Sequence, residues 1–100
     1  MSFTLIFKPL AEAEVADAFA WYSQPDIGMG SEFLDELGRI ERFIRFNPLL
    51  YPRVEDDIRR ASLRRFPYSL FYLIGENQVQ VLSCFHQHRD PTDRAHLLGK

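Results

Sequence analysis

The chain has 100 residues, 46% of them hydrophobic and 14% aromatic, with 12 basic and 14 acidic side chains for a net charge of −2. That length predicts one domain spanning residues 1–100, able to bury roughly 60–70% of the surface its unfolded form exposes without a disulfide or metal staple. The mild net acidity excludes a protein that relies mainly on phosphate neutralisation, and no apolar run approaches the length of a membrane span.

The charge is unevenly placed. Residues 1–50 carry Lys8 and three arginines against eight acids, net −4, whereas residues 51–100 carry seven arginines and Lys100 against six acids, net +2. A local basic patch can therefore meet an acidic partner even though the whole chain is acidic. The single cysteine, Cys84, lies inside the apolar run Val79 to Phe85, where it cannot form an internal disulfide and suits a buried thiol. The opening residues up to Phe7 lack the basic stretch of a secretory leader, so a cytoplasmic location is expected.

Phe3 to Phe7 reads as a first strand, ended by Pro9. Leu10, Ala13 or Glu14, Ala16, Phe19 and Ala20 then take helical spacing, with Glu12, Glu14 and Asp17 near the start where the helix dipole favours acids. Gln24-Pro25-Asp26 stops this helix. A second helix is predicted from about Gly30 to Phe46, with Ser31 as N-cap and an apolar stripe of Phe33, Leu34, Leu37, Ile40, Phe43 and Ile44. Its polar face carries acids early and arginines late and allows the pairs Asp35–Arg39 and Glu41–Arg45.

Asn47-Pro48 ends that helix and Tyr51-Pro52 keeps the connection extended. Ile58 to Leu63, Tyr68 to Ile74 and Gln78 to His86 read as three consecutive strands with turns at Arg65-Phe66-Pro67 and Gly75-Glu76-Asn77. The expected fold is α+β in the order β-α-α-β-β-β, two helices packed on one face of a small, mainly antiparallel sheet. Phe33, Leu37, Ile40 and Phe71 are expected in its core.

Two clusters carry candidate chemistry. Arg59, Arg60, Arg64 and Arg65 lie in and just after one strand, and alternation puts Arg59 and Arg60 on opposite faces, so only a subset can line one surface. Basic residues also protect sheet edges from aggregation. His86 and His88 end the last strand at a spacing that points both rings the same way, followed by Arg89 and Asp90-Pro91. With no third ligand at suitable spacing, a structural hydrogen-bonding role is expected and no metal or cofactor.

Several local signatures occur together: Trp21-Tyr22 at the end of the first helix, Phe33-Leu34-Asp35-Glu36-Leu37 in the second, and Asn47-Pro48 with Tyr51-Pro52 after it. Arg59-Arg60, the run Leu63-Arg64-Arg65-Phe66-Pro67-Tyr68, and His86 with Arg89-Asp90-Pro91 complete the set. In this order they resemble the RelE/ParE superfamily of bacterial toxins over nearly the whole chain. The resemblance implies the toxin of a type II toxin–antitoxin (plasmid stabilisation) system, neutralised by a cognate antitoxin that folds onto it.

Members of the superfamily differ in target. ParE-like toxins bind DNA gyrase and poison it without chemistry of their own, whereas RelE-like toxins cleave mRNA on the ribosome. The second activity usually draws on several lysines or arginines and often a tyrosine after the last strand. Here the only lysines are Lys8 and Lys100, and no tyrosine follows Tyr72. The resemblance therefore favours the ParE-like branch, with Arg59, Arg60, Arg64, Arg65, His88 and Arg89 meeting the target and Trp21, Tyr22, Phe71 and Phe85 meeting the antitoxin. Were the chain a nuclease, Glu55, Arg65, His86 and His88 would be the candidate catalytic groups.

Overall fold

The computed structural model describes residues 3–87. Strand β1 (Thr4–Phe7) leads into helix α1 (Pro9–Tyr22) and then α2 (Gly30–Phe46). A short 3-10 turn (Pro48–Leu50) precedes strands β2 (Arg53–Glu55), β3 (Ile58–Ser62), β4 (Tyr68–Ile74) and β5 (Gln78–His86). The sheet order is β1-β5-β4-β3-β2, with β2 to β5 an antiparallel meander and β1 pairing in parallel with β5. No helix among the described residues is long and apolar enough to cross a membrane.

Pro9 stands in the first turn of α1, where its missing N–H is no loss. The helix stops at Tyr22, and the link to α2 passes through Gly28 at φ +63, a left-handed conformation that glycine adopts without penalty. Gly30 begins α2 because the two helices meet there. A β-carbon at Gly30 would collide with the Ser23 hydroxyl and crowd Phe19. The helix starts at Gly30 as expected, but its cap is Met29, two residues before the expected Ser31, and the Met29 carbonyl accepts from Phe33 N.

The core lies between the helices and the near face of the sheet. Phe33, Leu37, Ile40 and Ile44 of α2 and Ala11 and Ala18 of α1 are buried with Ala61, Leu63, Phe66, Leu70, Tyr72, Val79, Val81 and Cys84. The two small alanines let α1 lie close to the sheet. Leu34 and Phe43, expected in the apolar stripe of α2, lie at its edge and are 43% and 42% exposed. Phe71, expected in the core, is half-buried and outside the core cluster, and Tyr72 takes its place. The run Tyr68 to Ile74 is apolar on both faces, so alternation alone could not say which set faces the helices.

Two polar contacts fasten the layers. The Tyr72 hydroxyl donates to the Pro48 carbonyl at 2.7 Å, which ties the 3-10 turn to the middle of β4. A bulge in β5, where Phe71 pairs with Ser83 but Tyr72 with Val81, leaves Leu82 as an extra residue. Beyond it, Ser83 Oγ and Cys84 N both donate to Glu14 Oε1 of α1, at 2.7 and 3.0 Å. Glu14 thus faces the sheet.

The sequence pattern missed β2 and the 3-10 turn. Three residues flanked by Pro52 and the acids Asp56 and Asp57 are too few and too polar to show alternation. Pairing with β3 defines β2, and Asp56 turns the chain at φ +48. The 3-10 turn did leave a signal: the Asn47 side chain accepts from Leu49 N, a local turn for which Asn-Pro is suited.

Candidate functional site

One end of the sheet gathers most of the chemistry. The β3–β4 turn (63–67) and the end of β5 sit side by side there, because Tyr68 pairs with His86 and Gln87 N donates to the Pro67 carbonyl at 2.7 Å. The C-terminal turn of α1 closes over the same end. Tyr22 packs against Phe33, Phe66 and Tyr68 at centroid distances of 5.3, 4.8 and 6.2 Å. His86 meets Tyr68 edge to face at 5.0 Å.

Arg64 and Arg65 are both exposed on the turn. The Arg65 guanidinium lies 5.9 Å from the centre of the Phe66 ring, whose own side chain is buried and anchors the turn. The Arg64 backbone is held by α2: its N–H donates to Glu36 Oε2 at 2.7 Å. Glu36 in turn accepts two hydrogen bonds from Arg39, at 2.9 and 2.8 Å. Chiefly through the Arg39 hydrogen bonds, its carboxyl is lowered to about 2, against some opposition from burial. The expected Asp35–Arg39 pair is replaced by this one, since at three residues' spacing Glu36 reaches both Arg39 and the turn; Glu41–Arg45 is present at 3.7 Å. Glu36 is the residue at this site that sequence reasoning assigned to a solvated face.

Arg59 and Arg60 diverge as alternation requires. Arg59, opposite Tyr72 on the helix side, donates to the Tyr51 carbonyl at 2.6 Å and lies 3.5 Å from that of Leu49. Arg60 is exposed, pairs in register with Phe71 and belongs to the far face. Phe71 and Phe85 meet at 6.2 Å on that far face, while Tyr22 and Trp21 lie on the helix side. The four aromatic candidates for antitoxin contact thus divide between two surfaces. Tyr22 is buried in the core and Trp21 is 56% exposed.

Among the described residues, the candidate nuclease groups Glu55, Arg65 and His86 are not assembled. Arg65 and His86 share the turn end. Glu55 pairs with Ile58, which precedes the Arg59–Tyr72 pair, so it stands at the level of Leu73, five residues along β4 from Tyr68. That is about 17 Å along the strands, with three strand spacings of about 4.8 Å between β2 and β5 as well. His88 and Arg89 lie outside the described residues.

Beside the basic turn, a cavity of 520 Å³ opens between α1 and the β4–β5 pair, lined by Glu14, Asp17, Ala18, Trp21, Tyr22, Pro67, Tyr68, Cys84 and His86. Burial, with the nearby Glu14 charge, pushes the Cys84 thiol up to about 12, so it is no nucleophile at neutral pH. Sequence reasoning picked out Trp21 and His86 but not Glu14 or Asp17. A signal existed for Glu14, an acid standing where helical spacing asks for an apolar residue. Among the described residues, no group of three or more His, Cys, Asp or Glu could hold a metal ion.

Comparison with known proteins adds two findings. Residues 5–91 match the family described as the ParE toxin of the type II toxin–antitoxin system parDE. The fold superposes with a TM-score of 0.71 on a solved chain titled "Chromosomal ParDE TA system from P. aeruginosa", at 15% sequence identity, covering 85% of this chain and 96% of that one. No curated protein matches the sequence.

Proposed function

The chain belongs to the ParE toxin family of type II toxin–antitoxin systems, and from that premise we propose that it acts by binding DNA gyrase, without chemistry of its own, and is neutralised by a cognate antitoxin. The observation that carries this reading is the separation of Glu55 from His86 across the sheet. A proton-transfer pair must lie within hydrogen-bond reach of one reacting group or one water away. These two do not.

What the turn end offers instead is a rigid cationic surface. Arg64 and Arg65 project from a turn fixed by Glu36, Phe66 and Gln87, an arrangement suited to electrostatic recognition of an acidic protein surface. Arg59 serves the fold, since its guanidinium holds the segment after the 3-10 turn. Target contact accordingly falls to Arg64 and Arg65, with His88 and Arg89 as further candidates from the sequence. For the antitoxin, Phe43, Phe46, Leu49 and Leu50 follow one another along the end of α2 and the 3-10 turn and are 42%, 80%, 66% and 56% exposed. Apolar exposure on that scale is usually covered by a partner.

The wild type is tested in a gyrase supercoiling assay and a ribosome-programmed mRNA cleavage assay. Inhibited supercoiling with intact mRNA is expected, and charge reversal at Arg64 and Arg65 together should relieve the inhibition. Codon-dependent cleavage with untouched supercoiling overturns the proposal. Co-expression with the product of the adjacent gene and affinity purification tests neutralisation: a stable complex that no longer inhibits gyrase is expected.

A further inference from the structure

We propose that Glu36, an acid inside the basic surface, is a positioning residue for target recognition, fixing the turn that carries Arg64 and Arg65 while its own charge is cancelled. The inference rests on the reading that this turn meets an acidic target. It gives Glu36 an effect on affinity opposite in sign to the one its charge alone would have.

The turn is anchored on both sides of the arginine pair. Leu63 and Phe66 are 4% and 3% exposed, and Leu63 N donates to the Tyr68 carbonyl at 2.9 Å while Tyr68 N donates to that of Phe66 at 2.8 Å. Between these anchors, among the described residues, one backbone hydrogen bond ties Arg64 or Arg65 to another element: Arg64 N to Glu36 Oε2 at 2.7 Å. The bond lies at the surface, so water could satisfy the Arg64 N–H in its absence. What the carboxylate supplies is direction, since it fixes the turn relative to α2.

Arg39 makes an acid tolerable in that place. Its Nε donates to Glu36 Oε1 at 2.9 Å and its Nη2 to Oε2 at 2.8 Å, a two-point grip suited to a planar guanidinium. The guanidinium is itself seated 5.5 Å from the centre of the Phe43 ring. Contacts therefore run without a break from Phe43 through Arg39 and Glu36 to the backbone of Arg64. The carboxyl, lowered to about 2, is ionised at neutral pH, so with Arg39 it forms a pair of no net charge. Arg64 and Arg65 keep their own charges for the target.

The preceding acid is a matched control. Asp35 is exposed and makes no hydrogen bond or ion pair among the described residues. If charge alone governed recognition, removing either acid would strengthen the pull on an acidic surface. Glu36→Gln should do the reverse. A carboxamide has one acceptor oxygen where a carboxylate has two, so it cannot grip Arg39 at both points and hold Arg64 N as well. The turn arginines would then have to be ordered at the moment of binding, which costs affinity.

Trypsin cuts after arginine, so the turn reports on itself. The whole protein is digested under native conditions as wild type, Glu36→Gln and Asp35→Asn, and cleavage after Arg64 or Arg65 is measured by mass spectrometry relative to cleavage after Arg42. Global loss of stability raises all sites alike, whereas local release raises the turn sites alone. The ratio should rise at least about fivefold in Glu36→Gln and stay unchanged in Asp35→Asn. In the gyrase supercoiling assay, the concentration giving half inhibition should rise about five- to tenfold for Glu36→Gln and stay level or fall for Asp35→Asn. A Glu36→Gln protein that inhibits as well as the wild type or better overturns the proposal, as does an unchanged cleavage ratio or an equal weakening by Asp35→Asn. A wild type that leaves supercoiling untouched refutes the gyrase reading instead, and the cleavage ratio then decides the positioning role by itself.

Discussion

Removing the Glu36 carboxylate should release the basic turn from α2. Three contacts meet on this side chain: two from the Arg39 guanidinium at 2.9 and 2.8 Å and one from Arg64 N at 2.7 Å. A carboxyl lowered from the ordinary 4.5 to about 2 on folding has an upper limit of roughly 3 kcal/mol of linked stability. Solvent screening reduces that value, because Arg39 remains 25% exposed and ion pairs near the surface deliver a fraction of their nominal energy. The expected cost of Glu36→Gln at pH 7 is therefore about 1–2 kcal/mol, or about 4–15 °C in Tm for a domain of this size. The sign with pH is fixed as well. Because folding lowers this pKa, the contribution is complete above the unfolded value of 4.5 and is lost as pH falls toward 2. Urea melts of wild type and Glu36→Gln at pH 7 and pH 3.5 should show the gap between the two proteins narrowing at the lower pH. A gap that is the same at both pH values would refute the assignment of the stabilisation to the ionised carboxylate.

Leu37→Ala should cost about 2–5 kcal/mol in a denaturant melt, since the side chain is 4% exposed and leaves a cavity between α2 and the sheet; Arg60→Ala, on an exposed position, should change stability by less than about 0.5 kcal/mol. Tyr72→Phe should cost about 1–3 kcal/mol by leaving the buried Pro48 carbonyl unpaired. Burial raises the Tyr72 hydroxyl to about 12, so its contribution holds below pH 10 and is lost as pH rises through 12, which alkaline unfolding of the wild type and the phenylalanine variant will show. Cys84 should resist a thiol reagent such as DTNB in the native state at pH 8 and react fully in urea, because its thiol is 2% exposed and its pKa is near 12.

The sequence was most readable where one period dominates. In α2 the limits are the predicted ones and the apolar spacing marks Phe33, Leu37, Ile40 and Ile44 as buried, though not the exposed Leu34 and Phe43, and in β4 and β5 the strand limits are the predicted ones. Readability failed where a residue's role depends on a partner distant in the chain. Gly30 is set by Ser23 across the hairpin, Glu36 by a turn that comes 28 residues later, and Glu14 by a bulge 70 residues away. Composition cannot tell Glu36 from Asp35, since both are acids on one side of an amphipathic helix. The arginines show the same limit from the other direction: four appear equivalent in the sequence, but Arg59 alone is held on backbone carbonyls. The separation of Glu55 from His86 became visible only through the pairing register, because β2 itself left too weak a pattern to be found.

The parallel pairing of β1 with β5 has a consequence for the order in which the sheet is completed. β1 is made first, yet its neighbour in the sheet begins at Gln78 and the last register pair joins Phe7 to Val81. A chain growing on the ribosome, at about 5–20 residues per second, must hold β1 unpaired until β5 has emerged. The basic turn likewise acquires its His86 and Gln87 neighbours only when β5 is in place. Contacts closing so long a loop form late and slow the folding of the whole domain. The two helices are thus complete before the strand that closes the sheet beside them has been made, and the turn end of the sheet is finished after both.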